Sequence, residues 1–138
     1  MRQTDFLIIG SGIAGLTYAI KVAKKLPDKK VIIITKVDAS ESNTKYAQGG
    51  VAAVMDLKND TFKKHMDDTI NAGAGLCDKR VVEMVINQGP AMVENLNAWG
   101  VSFDKTPSGN YELGREGGHS RNRVMHHKDL TGLAIETA

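Results

Sequence analysis

At 138 residues the chain has room for one domain with a real core and not for two large ones. Its 41% hydrophobic and 25% charged content and its net charge of +2 are those of an ordinary soluble protein, without the basic stripe interleaved with aromatics that marks a nucleic-acid surface. No apolar run approaches the roughly 20 residues of a membrane span, the start of a strand almost at Met1 leaves no space for a signal peptide, and a single cysteine, Cys77, excludes an internal disulfide framework and suits a reducing compartment. The expectation is a cytoplasmic protein without nucleic-acid or membrane partners.

The first predicted element is a strand over Thr4–Ile9, running into three glycines at Gly10, Gly12 and Gly15. A helix over Ile13–Leu26 follows, with Ile13, Leu16, Ile20 and Ala23 on one face and Lys21, Lys24 and Lys25 turned away. A strand, a glycine-rich turn through Gly10, Ser11, Gly12, Ile13, Ala14 and Gly15, and then a helix is the arrangement that holds a dinucleotide. Gly10 allows the sharp turn, Gly12 lets backbone approach a pyrophosphate, and Gly15 lets the helix lie close to the sheet. The anion sits at the helix N-terminus, where unpaired N–H groups and the positive dipole end favour it. The apolar run Val31-Ile32-Ile33-Ile34 reads as a parallel strand buried on both faces, completing a βαβ unit of an α/β, Rossmann-like fold. At the end of that strand, roughly 20 residues past the last glycine, dinucleotide sites carry an acidic residue for the ribose. Here the position holds Lys36, which either accepts a 2′-phosphate or lies along the nucleotide while its backbone binds.

Residues 38–50 form a polar loop ending in Gln48-Gly49-Gly50, and Val51–Val54 leaves it as a short apolar segment. A helix over Thr61–Asn71, capped by Asp60, presents Phe62, Met66, Thr69 and Ile70 on one side. His65, among Lys63, Lys64 and Asp67, is expected in solvent. Asp78 caps a further helix with Val81, Val85, Met92, Leu96 and Trp99 on its apolar face, divided at Gly89-Pro90 and ended by Gly100. Strands over Val101–Lys105 and Tyr111–Gly114 flank a Pro107–Asn110 turn. Asp129 is expected to cap a short C-terminal helix that stops within two turns, the mark of a fragment of a longer chain.

The loop at 42–50 narrows the ligand. Ser42-Asn43-Thr44 followed by Ala47-Gln48-Gly49-Gly50 resembles the flavin loop of the succinate dehydrogenase and fumarate reductase flavoproteins. That resemblance implies FAD, with Asn43, Thr44, Lys45, Tyr46, Ala47, Gln48, Gly49 and Gly50 around the flavin. Respiratory members bind FAD covalently through a histidine at the place of Asn43, so an amide there implies non-covalent FAD.

A third stretch, Gly114-Arg-Glu-Gly-Gly-His-Ser120, resembles the L-aspartate oxidase branch of that family. That branch carries a lysine at the position of Lys36 while binding FAD. From the bare residues, Glu116 is either a surface partner of Arg115, worth about 0–1 kcal/mol, or a ligand for an ammonium group. Relatives acting on succinate or fumarate have an aromatic residue there, so the resemblance implies that Glu116 binds the α-ammonium of L-aspartate by a charge-assisted bond. His119 is the histidine expected near the substrate. The resemblance covers essentially residues 1–138 as the N-terminal part of an FAD-binding domain. It implies oxidation of L-aspartate to iminoaspartate by hydride transfer to FAD, reoxidation by oxygen or fumarate, and hand-over of iminoaspartate to quinolinate synthase for NAD synthesis. The catalytic base is expected beyond residue 138. No metal site is expected: adjacent His126 and His127 point to opposite faces of a strand, and Cys77 reads as a packed small residue. The alternatives are a non-catalytic NAD(P)-binding module, in which Lys36 reads a 2′-phosphate, and a fumarate reductase-like flavoprotein acting on dicarboxylates.

Overall fold

The computed structural model describes residues 3–138, folded as two compact units. Among the described residues the first comprises 3–47 and Gly132–Thr137, the second Gln48–Thr131 with Ala138.

In the first unit β1 (Phe6–Ile9) pairs in parallel with β2 (Val31–Ile34), Phe6 opposite Val31 and Ile9 opposite Ile34. α1 (Ile13–Lys25) connects them, so the expected βαβ unit is present. The helix uses a different face from the one its sequence suggests. Val22 is its buried residue, whereas Ile13, Ile20 and Ala23 are exposed. Gly15 lies against Ile8 of β1, where a Cβ would stand 3.3 Å from the Ile8 side chain, and the Tyr18 ring packs edge-on to Phe6 at 6.4 Å. β1 and β2 are likewise not buried on both faces. Ile8 is buried under α1, while Leu7 and Ile9 on the opposite side of β1 are 56% and 81% exposed.

In the second unit β3 (Val51–Ala52), β4 (Leu113–Gly114) and β5 (Val124–Met125) form an antiparallel sheet in the order β3-β5-β4. Val51 and Leu113 both face Met125. α2 (Phe62–Ala72) and α3 (Lys79–Ala98) pack against one another. Asp60 does not cap α2; Thr61 does, accepting the Lys64 N–H at 3.2 Å. Both Asp60 oxygens are held by Arg123 instead.

α3 is not divided at Pro90 but runs unbroken over 20 residues from its Asp78 cap. Its buried residues are Ile86, Val93 and Leu96, and Val81 and Val85 lie outside. Each buried side chain is worth about 1.5–3 kcal/mol, and together they exceed the roughly 3 kcal/mol penalty of an interior proline. Gly89 brings the helix within 3.4 Å of the Ala53 side chain, measured from where a Cβ would stand.

Val101 and Phe103 are buried and alternate with exposed Ser102, as expected, but they form no named strand; a single bridge joins Lys105 to Tyr111. Carbonyl acceptance by His126 and donation by the Asp104 N–H hold this segment in place of a ladder. α4 (Thr131–Thr137) starts after Leu130, not Asp129, and without a side-chain cap.

Candidate functional site

In the first unit the three glycines shape the turn as their spacing requires. Gly10 has φ +105°, a region closed to most side chains. A Cβ on Gly15 would stand 2.1 Å from the Gly10 carbonyl oxygen, so only glycine lets α1 begin there. Beside this turn lies a cleft of about 760 Å³, within the size range of ligand sites. It is lined by Gly10, Ser11, Gly12, Lys36, Asn43, Thr44 and Tyr46 among others, so residues distant in sequence converge on one space. Ile13 and Ala14 form the first turn of α1. The Ile13 N–H donates to Thr44 Oγ1 at 3.1 Å, tying the 42–47 loop to the helix N-terminus.

That loop is also tied to the start of α4. The Gly132 N–H donates to the Ala47 carbonyl at 3.1 Å, and a Cβ on Gly132 would stand 2.0 Å from the Thr44 carbonyl oxygen. Glu41, which the sequence reading did not single out, also lines the cleft. It accepts from Lys45 Nζ at 2.6 Å and from the Tyr46 hydroxyl at 2.5 Å, which pulls its carboxyl below the usual range, through Lys45 first and Tyr46 second. The i, i+4 spacing of Glu41 and Lys45 was the available signal. A glycine cradle at a helix N-terminus, two hydroxyls and a lysine at the strand end suit a pyrophosphate-bearing nucleotide. The cleft therefore fits the adenine dinucleotide part of FAD.

Gln48, Gly49 and Gly50 belong to the second unit, and there they meet Glu116. A Cβ on Gly50 would stand 2.4 Å from the Met125 carbonyl oxygen, and one on Gly49 would be 3.8 Å from Glu116 Oε2. Glu116 does not pair with Arg115. Its Oε1 lies 2.8 Å from His126 Nε2, and its side chain is 47% exposed. The His126 hydrogen bond, with the Gly50 backbone amide as a further donor, holds the Glu116 carboxyl below its ordinary range. Residue spacing held no signal for the Glu116–His126 contact.

His119 shares the turn with Glu116, its N–H donating to the Glu116 carbonyl at 3.2 Å. Its ring faces elsewhere. Nδ1 is 3.1 Å from Arg123 Nη1, and the ring packs against His65 at 5.6 Å. Arg123 is wholly buried. It grips Asp60 with two bonds, Nε to Oδ2 at 2.7 Å and Nη2 to Oδ1 at 2.9 Å, and Asp68 with a third at 2.6 Å. Asp68 also accepts from the Ser120 N–H and hydroxyl, each at 2.8 Å. Burial raises the Asp68 carboxyl, but the Ser120 and Arg123 bonds overcome it and bring the pKa to about 2. His65 is not in solvent; it is 7% exposed. Burial first, then the Arg123 charge, lowers its pKa to about 4, so the ring is neutral at physiological pH. This cluster holds the 114–123 segment that carries Glu116.

The remaining candidates fall outside these groups. His127 Nδ1–H donates to the Ser102 carbonyl, and the Cys77 thiol lies 3.6 Å from the Thr69 carbonyl. Among the described residues no group of three metal-binding side chains is found, and no helix is long and apolar enough to cross a membrane.

Residues 5–136 match the family described as the FAD binding domain. The chain is 52% identical over 137 residues to the chloroplastic L-aspartate oxidase of Oryza sativa subsp. japonica, covering 99% of this chain and 21% of that protein. It is 47% identical to the L-aspartate oxidase of Yersinia pestis, covering 97% and 25%. Among solved structures, E. coli quinol fumarate reductase FrdA superposes with a TM-score of 0.93 at 34% identity, over 99% of this chain and 23% of that one. Mycobacterium smegmatis Sdh1 gives 0.91 at 33% identity, over 99% and 23%. The chain thus spans between a fifth and about a quarter of the length of the curated relatives it matches.

Proposed function

The chain belongs to the FAD binding domain family, with FAD as its cofactor, and on that premise we propose that it is the N-terminal part of an L-aspartate oxidase. The proposed reaction converts L-aspartate to iminoaspartate, with oxygen or fumarate as the acceptor that returns the cofactor to its oxidised form. The product passes to quinolinate synthase in NAD synthesis. The catalytic base, the carboxylate-binding residues and further domains lie in sequence beyond residue 138. The proposed compartment is the cytoplasm, although plant relatives are named as chloroplastic.

When bound, FAD supplies the hydride acceptor, and the chain's own residues bind, orient and select. Gly10, Ser11, Gly12, Ile13, Ala14 and Gly15 hold the pyrophosphate against the start of α1, and Lys36 lies on the adenosine side. Asn43, Thr44, Lys45, Tyr46, Ala47, Gln48, Gly49 and Gly50 hold the flavin region without a covalent bond, since an amide at 43 cannot form one.

The observation that carries the substrate assignment is the Glu116 carboxylate, kept ionised and hydrogen-bonded at the Gly49-Gly50 turn. A fixed carboxylate there attracts the α-ammonium of an amino acid and repels a dicarboxylate that lacks it. His119 acts on the substrate side through the turn it shares with Glu116, its ring being engaged by Arg123.

Anaerobic addition of L-aspartate to the full-length, FAD-loaded protein tests this reading. L-Aspartate should bleach the flavin absorbance and succinate should not, and acid precipitation should release all the flavin. Bleaching by succinate but not by L-aspartate would favour the dicarboxylate alternative.

A further inference from the structure

Resting on that reading of Glu116, we propose that His126 is a positioning residue that fixes the Glu116 carboxylate for the substrate's ammonium group, and so shares in the choice of an amino acid over a dicarboxylate.

The place of His126 follows from the sheet. Val51 on β3 pairs with Met125 on β5, so in an antiparallel ladder the next step outward sets Gly50 against His126. Leu113 on β4 pairs with the same Met125, which brings Gly114 near from the other side. Both neighbours are glycines where the imidazole needs room. A Cβ on Gly50 would stand 2.8 Å from His126 Nε2, and one on Gly114 would stand 3.1 Å from Cε1. The His126 backbone is fixed as well, its carbonyl accepting the Asp104 N–H at 2.8 Å. The ring is therefore held in a slot cleared by two missing side chains, with Nε2 aimed at Glu116 Oε1 at 2.8 Å.

Glu116 needs such a hold. It sits on a turn followed by Gly117 and Gly118, the latter at φ +83°, and nearly half of its side chain is open to solvent. A free glutamate loses rotamer entropy when it captures a ligand. One anchored beforehand by an imidazole loses less. An ionised carboxylate only accepts, so Nε2 carries the hydrogen of this bond. The carboxylate has about four lone-pair sites; the imidazole occupies one, at Oε1, which leaves acceptor capacity for an ammonium.

The test uses the full-length, FAD-loaded protein with His126→Leu, His126→Gln, Glu116→Gln and the Leu/Gln double variant. KM and kcat for L-aspartate are compared with the inhibition constant of succinate, which has both carboxylates and no ammonium. His126→Leu should raise the KM for L-aspartate about tenfold while succinate inhibition stays within about twofold. His126→Gln, whose amide nitrogen reaches the place of Nε2, should recover most of the loss. On a Glu116→Gln background His126→Leu should add nothing.

Equal weakening of both ligands by His126→Leu, an unchanged KM for L-aspartate, or full additivity with Glu116→Gln would overturn the proposal. If Glu116→Gln alone leaves the ratio of L-aspartate to succinate affinity unchanged, the reading of Glu116 falls and this proposal falls with it. If Glu116→Gln shifts that ratio and His126→Leu does not, only the role of His126 is lost. Should His126→Leu fail to fold, the ¹⁵N spectrum of the histidine rings without substrate decides. A hydrogen-bonded Nε2–H of His126 that moves in Glu116→Gln supports the proposal, and one that does not move overturns it.

Discussion

The cleft of the first unit and the buried cluster of the second solve opposite electrostatic problems. In the first, the cleft is lined by the backbone of the glycine turn, by Ser11 and Thr44, and by a lysine at a strand end, the groups we propose to meet an anion. The one charge among these groups, Lys36, is exposed, and the buried Ser11 hydroxyl is neutral and paired with Thr35. In the second, a guanidinium with no exposure is closed in by two carboxylates, and neither charge is tolerable there without the others. The first arrangement keeps its binding capacity for a ligand. The second uses its charges on itself, and what it supports is the segment that carries Glu116.

That contrast is broken most severely at Arg123. Arg123→Met leaves Asp60 and Asp68 without their partner and should destabilise the protein by about 3–5 kcal/mol, seen as a lower urea midpoint. Lys36→Met, in the open cleft, should stay within about 0.5 kcal/mol in the same measurement while weakening FAD. Equal losses would show that the two sites do not differ in kind.

Acid should act on the second region next. His65 titrates at about 4 in the folded chain against 6.5 ordinarily, so below pH 6.5 the unfolded state binds more protons. Stability is then complete above about pH 6.5 and falls as pH drops toward 4, by about 3 kcal/mol at most. Asp68, lowered to about 2, adds a separate loss below about pH 4. Urea midpoints between pH 7 and 4.5 should flatten in His65→Leu, and an unchanged slope would contradict the burial argument.

The glycines sharpen the comparison within the cleft. Gly15→Ala forces a Cβ against the Gly10 carbonyl at 2.1 Å and should lower stability by about 1–3 kcal/mol. At Gly12 the nearest atom would be Thr44 Oγ1 at 3.4 Å, so Gly12→Ala should fold normally and lose FAD affinity by about tenfold. A modest effect is expected of Thr44→Val, which removes the acceptor for Ile13 N–H and should cost about 1 kcal/mol in thermal unfolding.

How much was legible in the sequence follows the same division. The strand–turn–helix, β2 and the Asp78 cap are local patterns, and they stand where the residues predict. FAD as the ligand was legible from the match of residues 42–50 to a flavin loop, not from the glycine motif itself. What was misread depends on tertiary context. Asp60 looks like a helix cap until Arg123, 63 positions away, takes both its oxygens. His65 looks solvated among Lys63, Lys64 and Asp67 because its burial comes from residues distant in sequence, the His119 ring among them. Pro90 looks like a helix end because the buried line through Ile86, Val93 and Leu96 outweighs it only once its neighbours are in place. His126 was passed over because the glycines that clear its slot, Gly50 just before β3 and Gly114 on β4, lie far from it in sequence.

The central claim, that the glycine turn and the 42–50 loop hold FAD and not a nicotinamide nucleotide, is tested most directly by titrating the full-length protein with each. FAD should bind stoichiometrically, with a shifted flavin absorbance and quenched fluorescence, and NADPH should leave the protein unchanged. A colourless protein that ignores added FAD and binds NADPH would contradict the account.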